Sequence, residues 1–431
     1  RADPGRARLS SQTPPRPSVP EPPRPLLRQS DFAALWWGQL ISILGERFSY
    51  IALVGLLAAH THQFADRDSP VLLAILANVM AMPVLLFAPF TGAWLDRWNL
   101  RRVLIVSDVL RAVLVALVPL AYALSEHTVT VYAMVFLLFT CNVFFTPAKS
   151  AITPEIVAPD QLLGANALLA LAGVIATAIG APVGGWMVDR WGWQQVLYIN
   201  AFTYLISVVS LWMIHYRPHA HHDTHAGPSV RGYLHEVREG WRLVRASARV
   251  GLGLVALAAV WVGGGFLNAA GNPHVQRAAL EPGMRRVGLL LLVLCAGSGL
   301  GTWWVNTGGR AHGRPRLLGV GLLLVGAGLA LFALSSDLRV FAVAAFLIGL
   351  AAAPSFVLSE TLLQEGTEPR QRGRVFSARD FLMRLVFLVG GTVAGFLTRA
   401  AGTRPALLVC AALVAVAGVA ALAWRMERDH A

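Results

Sequence analysis

The chain has 431 residues, 56% hydrophobic and only 14% charged, with a formal net charge of +13, whereas a soluble domain carries roughly 25% charged residues. That balance excludes a soluble enzyme. The basic excess does not indicate nucleic acid either, because the arginines lie in short segments between apolar stretches and form no single patch.

The first segment, 1–34, is rich in Pro and Arg and reads as a disordered cytoplasmic tail. It lacks the short apolar core of a signal peptide. Twelve apolar stretches follow, at 35–58, 71–94, 102–124, 128–146, 164–188, 194–215, 250–272, 286–305, 315–335, 339–362, 375–399 and 403–424. Each approaches the roughly 20 residues needed to cross ~30 Å of hydrocarbon. The polar segment 216–249 separates the sixth from the seventh, and 425–431 is a second cytoplasmic tail. The expected fold is an all-α membrane protein with twelve transmembrane helices in two pseudo-symmetric six-helix bundles, 35–215 and 250–424.

An even number of spans puts both termini on one side. Of the 36 Lys and Arg residues, 25 fall on the side of the termini and 8 on the other, the latter including Arg277, Arg285 and Arg286 in one segment. Positive residues favour the cytoplasm, so both ends are expected inside, in an inner membrane of bacterial type. The halves also echo each other at an offset of 210, where Pro159 meets Pro369, Gly180 meets Gly390 and Gly185 meets Gly395. Parallel six-span repeats are one route to alternating access.

Within 216–249, Val230, Leu234, Val237, Trp241 and Val244 recur at helical spacing opposite Arg231, Arg238, Arg242 and Arg245. A basic amphipathic helix on the lipid surface and a soluble linker helix both fit that pattern. His215, His219, His221, His222 and His225 follow no single helical face, and read as solvated linker with no metal bound. Cys141, Cys295 and Cys410 each lie inside an apolar run and read as small core hydrophobes.

The connection after the second span reads Gly92-Ala-Trp-Leu-Asp96-Arg97-Trp-Asn-Leu-Arg101-Arg102. It resembles the signature of the major facilitator superfamily, a Gly, an Asp and a basic cluster following span two. Gly45-Glu46-Arg47, the run Pro147-Ala148-Lys149 … Pro154-Glu155 … Gly164-Ala165-Asn166, and Glu239-Gly240-Trp241-Arg242 resemble the enterobactin-exporter and macrolide-efflux branch. Two features depart from that pattern. Thr307-Gly308-Gly309-Arg310 has no acid where the second half should repeat the signature, and span one carries Glu46 in place of Asp. The resemblance implies a cytoplasmic gate in which Asp96, with Gly92 and Arg97, meets the facing half near the start of span eleven, where Arg374 and Arg379 are placed to be its partners. Asp380 and Arg384 stand at i, i+4 on one face of span eleven and read equally as a latch across the halves or as a local pair. Arg101 and Arg102 read more simply as topology determinants.

A charge inside the bilayer is costly and marks a cavity or a partner. Glu46 and Arg47 lie in the middle of span one. A carboxylate partly withdrawn from water favours its protonated form, so Glu46 is the candidate carrier of a coupling proton; a structural ion pair with another helix is the alternative. Asp108 and Arg111 share a face of span three and read as an intrahelical pair, with a part in coupling left open. Tyr50, Asn142, Phe144, Phe145, Trp261 and Phe266 are candidates to line a substrate cavity, against lipid-facing packing for any one of them.

With no nucleotide loop of the G-x-x-x-x-G-K-[ST] type, the expected activity is secondary transport without cofactor: a monomeric antiporter exchanging protons for an amphipathic small molecule, siderophore or drug-like. A lysophospholipid flippase of the same superfamily and a non-transporting membrane sensor remain as alternatives.

Overall fold

The computed structural model describes residues 25–61, 68–95, 98–125, 127–215, 238, 242, 248–278, 283–307, 314–365, 367 and 372–426. Both tails beyond these, almost all of the 216–249 linker, and the signature residues Asp96 and Arg97 lie outside the described residues.

Among the described residues, twelve helices are long and apolar enough to cross a membrane. They are α1 (Ser30–His60), α2 (Ser69–Leu95), α3 (Leu100–Ser125), α4 (Thr128–Ile156), α5 (Leu162–Trp191), α6 (Trp193–Trp212), α7 (Ala248–Phe266, continuing through a π-helical turn at Leu267–Gly271 into Asn272–Ala278), α8 (Met284–Thr307), α9 (Arg314–Leu334), α10 (Leu338–Glu365), α11 (Arg372–Ala401) and α12 (Thr403–Met426). Both α4 and α7 run past their predicted ends. Pro147 and Pro154 sit inside α4 without ending it, since packed neighbours can satisfy the backbone groups a proline frees. Lys149 is therefore on a helix and not in a loop. Arg277 likewise belongs to the last turn of α7, and Arg285 and Arg286 to the first turn of α8.

The halves repeat one packing scheme. In the first, α1 packs on α5 and α6, α3 on α4 and α6, and α2 on α4; in the second, α7 packs on α11 and α12, α9 on α10 and α12, and α8 on α10. The internal echo has a backbone counterpart. Gly192 and Gly402, separated by the same 210 positions, turn the chain from α5 into α6 and from α11 into α12 at φ 85° and 95°, a region that costs glycine little. Apolar cores fill each half, one around Ile51, Leu56, Val115 and Val196, another around Leu322, Leu329 and Val414.

The halves meet along two related seams, α5 on α8 and α2 on α11. The termini of the described chain share one face, here the terminal face; the opposite one is the far face. Seam contacts cluster toward the far face. A Cβ on Gly185 would collide with the Met284 carbonyl, and one on Gly288 with the Ala181 carbonyl, so backbone lies against backbone there. Gly395, the echo of Gly185, lies against Pro70, Val71 and Ala74 of α2. Asn78 Nδ2 donates to Thr392 Oγ1 at 2.7 Å, and Arg399 meets Asp68 at 2.7 Å. Finally, Asp189 at the end of α5 accepts from the backbone N–H groups of Met284 (2.7 Å) and Arg285 (2.8 Å) at the start of α8.

Candidate functional site

The four charged residues noted in the first half's spans divide into a cluster of three and one outlier. Glu46, near the middle of α1, accepts from Arg111 Nη1 of α3 at 2.7 Å. Arg111 also holds Asp108 one turn back on its own helix. Arg111 and Asp108 are fully buried, while the Glu46 side chain keeps 29% of its exposure. The guanidinium lies between two rings, 4.0 Å from the centroid of Phe145 and 4.7 Å from that of Tyr204. Asn142 Oδ1 of α4 is 3.4 Å from Arg111 Nη1. This is a buried cation with its donors largely directed at carboxylates and its faces covered by aromatic rings.

Local sequence explains how α1 comes this close. Gly45 fits beneath Asn200 and Thr203 of α6, where any side chain would collide. Behind it Asn200 Nδ2 donates to Ser49 Oγ at 2.5 Å. Beside Glu46 a small cavity of about 30 Å³ is lined by Ser49, Tyr50, Arg111, Asn142 and Tyr204 among others; a space of this size holds one or two waters.

Tyr50, one turn beyond Glu46, lines that cavity and also a larger chamber of about 260 Å³. The chamber is built mostly from the second half: Leu267, Val275, Val287, Leu290, Leu291, Leu294, Phe332 and Ile348, with Asn268 and Asn272 as polar points and no charged residue among the described ones that line it. Asn268 Nδ2 donates to the Tyr50 hydroxyl at 2.5 Å, a hydrogen bond between the halves. Asn268 lies within the π-helical turn of α7, and such turns often occur at functional sites.

The remaining candidates are dispersed. Phe144 lines a groove of about 630 Å³ between α3 and α4, with Trp98, Asn99 and Arg102. Trp261 stacks edge-on against Phe387 (5.8 Å), and Phe266 is buried in the core of the second half. Arg101 caps the end of α6 through the carbonyls of Leu211 and Trp212. Arg379 takes Glu360 (2.6 Å) and its neighbour Asp380, both within the second half. Arg384 is half-buried on α11, and Gly92 lies in the last turn of α2. Arg47, the outlier, packs against Gly180 of α5, away from the Glu46 cluster. His215 meets Asp31 at 3.1 Å, and no metal-binding group of His, Cys, Asp and Glu occurs among the described residues.

Sequence reasoning missed Asn268, Asp189, Tyr204 and the Asn78–Thr392 pair. The signal for Asn268 was present. It follows Gly263-Gly264-Gly265 and precedes Gly271-Asn272-Pro273, an interruption of the kind that marks transporter binding sites.

Comparison with known proteins agrees with this architecture. The family described as Major Facilitator Superfamily matches residues 35–310 and 286–431. "Uncharacterized MFS-type transporter Rv0037c" of Mycobacterium tuberculosis is 25% identical, over 90% of both chains. "Putative bacilysin exporter BacE" of Bacillus amyloliquefaciens is 26% identical over 83% of this chain and 86% of that protein. "Macrolide efflux protein A" of Streptococcus pyogenes is 20% identical over 89% and 94%. Among solved structures, a mutant form of the nucleoside transporter NupG superposes with a TM-score of 0.72 at 14% identity, covering 90% of this chain and 99% of that one. A bacterial homologue of the lysosomal transporter Spinster, described as inward-facing and unoccupied, gives 0.66 at 14% identity, over 94% and 98%.

Proposed function

The chain belongs to the major facilitator superfamily, and from that premise we propose that this multi-pass membrane transporter exports an amphipathic small molecule in exchange for protons. The relatives named for bacilysin export and macrolide efflux support the outward direction. In this reading 35–215 and 250–424 are the two rocking units, both termini are cytoplasmic, and the protein works as a monomer in an inner membrane of bacterial type.

The observation that carries the reading is the position of Glu46. It is partly exposed at mid-depth and ion-paired to a buried arginine. One turn away, Tyr50 bonds the opposite half. Protonating Glu46 removes its charge and releases it from Arg111, which keeps Asp108. The change in charge is thus made on the helix that carries the inter-half hydrogen bond. An event at the proton site therefore biases how the halves sit. With contacts gathered at the far face, the halves in this reading part toward the cytoplasm, the state in which an exporter loads. Compounds retained by cells with and without the protein identify the cargo. Cells carrying Glu46→Gln should then retain what cells lacking the protein retain; wild-type efflux from that variant would remove Glu46 from coupling.

One observation favours a second reading, lysophospholipid flipping. The α3–α4 groove sets Arg102 and Asn99 beside Val103, Val106 and Leu110, a polar end and an apolar floor suited to a single-chain lipid. Movement of labelled lysolipid between leaflets of proteoliposomes separates the two readings.

A further inference from the structure

The charges near mid-depth do not balance. Glu46 and Asp108 are both engaged by Arg111, and Lys149 of α4 lies within electrostatic reach of Glu46. That leaves Arg47. Its side chain is exposed near the middle of α1 and packs against Gly180 of α5, and its charge is felt by Tyr50 and by Cys295 of α8. No carboxylate partners it among the described residues. Arg384 of α11 is also without one there. By helical spacing it shares a face with Gly391, which lies against α7, and Gly395, which lies against α2. Each half thus carries one uncompensated cation: Arg47, whose charge reaches Cys295 of the other half, and Arg384, on a helix face that also meets α2. Holding an unpaired cation at this depth is costly, so a partner is expected to arrive from outside the chain.

Arg47 also neighbours the chamber wall. Tyr50, three residues on, and Leu291 and Leu294, beside Cys295, are chamber walls, and no charged residue among the described ones lines the chamber. We infer that Arg47 is the counter-charge for the cargo and that the cargo is an organic anion. Its uncharged, largely apolar body fills the chamber, and its carboxylate or equivalent group stays against the guanidinium. This rests on the export proposed above and takes the chamber as its cargo site. Arg47 is a specificity residue in this account; Glu46, its neighbour in sequence, carries the proton on a different face of α1.

Two fluorescent probes with one aromatic body test the assignment: N-phenyl-1-naphthylamine, which is neutral, and 8-anilinonaphthalene-1-sulfonate, which adds a sulfonate. Saturable binding is measured to the full chain in lipid nanodiscs, after subtracting partition into discs without protein. The wild type should bind the sulfonate about tenfold tighter or more, as a charge-assisted contact warrants. Arg47→Gln should remove that preference and leave the neutral probe unchanged, and Arg47→Lys should restore most of it. An equal loss for both probes in Arg47→Gln, or an unchanged ratio, overturns the counter-charge and leaves the chamber standing. Absence of saturable binding of the neutral probe to the wild type overturns the chamber itself, and the inference with it.

Discussion

Arg111 satisfies two carboxylates at once, and their burial sets what each contributes. Asp108 is wholly buried, so its charge depends on the guanidinium, whereas Glu46 retains exposure and has a small water-sized cavity beside it. Replacing Arg111 by Met should therefore lower stability by about 3–5 kcal/mol, the cost of breaking a buried pair from one side, seen as a lower midpoint of thermal unfolding in nanodiscs. Glu46→Gln should leave that midpoint nearly unchanged while abolishing transport driven by a pH gradient in proteoliposomes. If both variants lost stability equally, Glu46 would be a structural partner and not a proton carrier.

The helices divide by what holds them in place. Gly185 and Gly288 let α5 and α8 touch at their backbones, so Gly288→Leu should hold the far-face seam apart. Faster alkylation, from the far face, of a cysteine placed at Val287 in the chamber wall would report it; an unchanged rate would show that the seam does not gate access. Deleting Ala270 from the π-helical turn should restore a regular α ladder and turn Asn268 away from Tyr50. Binding of N-phenyl-1-naphthylamine should then weaken severalfold with the fold retained. All twelve elements were legible from apolar length alone, because lipid admits few alternatives to helices, and the twofold repeat from the central polar segment and the Gly and Pro echo at an offset of 210. Pro147 and Gly271 misled the ends of α4 and α7, since their local signal is that of a break and tertiary packing overrode it. The Glu46–Arg111–Asp108 cluster was half legible: i, i+3 spacing joins Asp108 to Arg111, but nothing in one sequence says that α1 meets α3 at Glu46. Asn268 and Asp189 act through contacts between halves, which periodicity within a helix does not report.

At the scale of the whole molecule, the far face is closed by a small set of contacts. The Arg399–Asp68 pair is exposed on both sides and contributes little on its own. The Asp189 carboxylate instead caps the first N–H groups of α8 and meets the positive end of that helix. Breaking it leaves two N–H groups to water, which the far face can supply, so in the proposed rocking this clasp is the contact that opens and recloses. The terminal face is the side on which Lys and Arg accumulate, and Arg47 and Arg384, which have no carboxylate partner among the described residues, make the region between the halves attractive to anions. The claim on which this depends is that the halves exchange between closure at one face and closure at the other. Double electron–electron resonance between spin labels at Arg190 on α5 and Leu289 on α8, both exposed positions, tests it most directly. The account predicts two distance populations, a short one matching the clasped seam and a longer one whose share rises in Asp189→Asn. A single short distance, unchanged by that substitution and by pH, would contradict it.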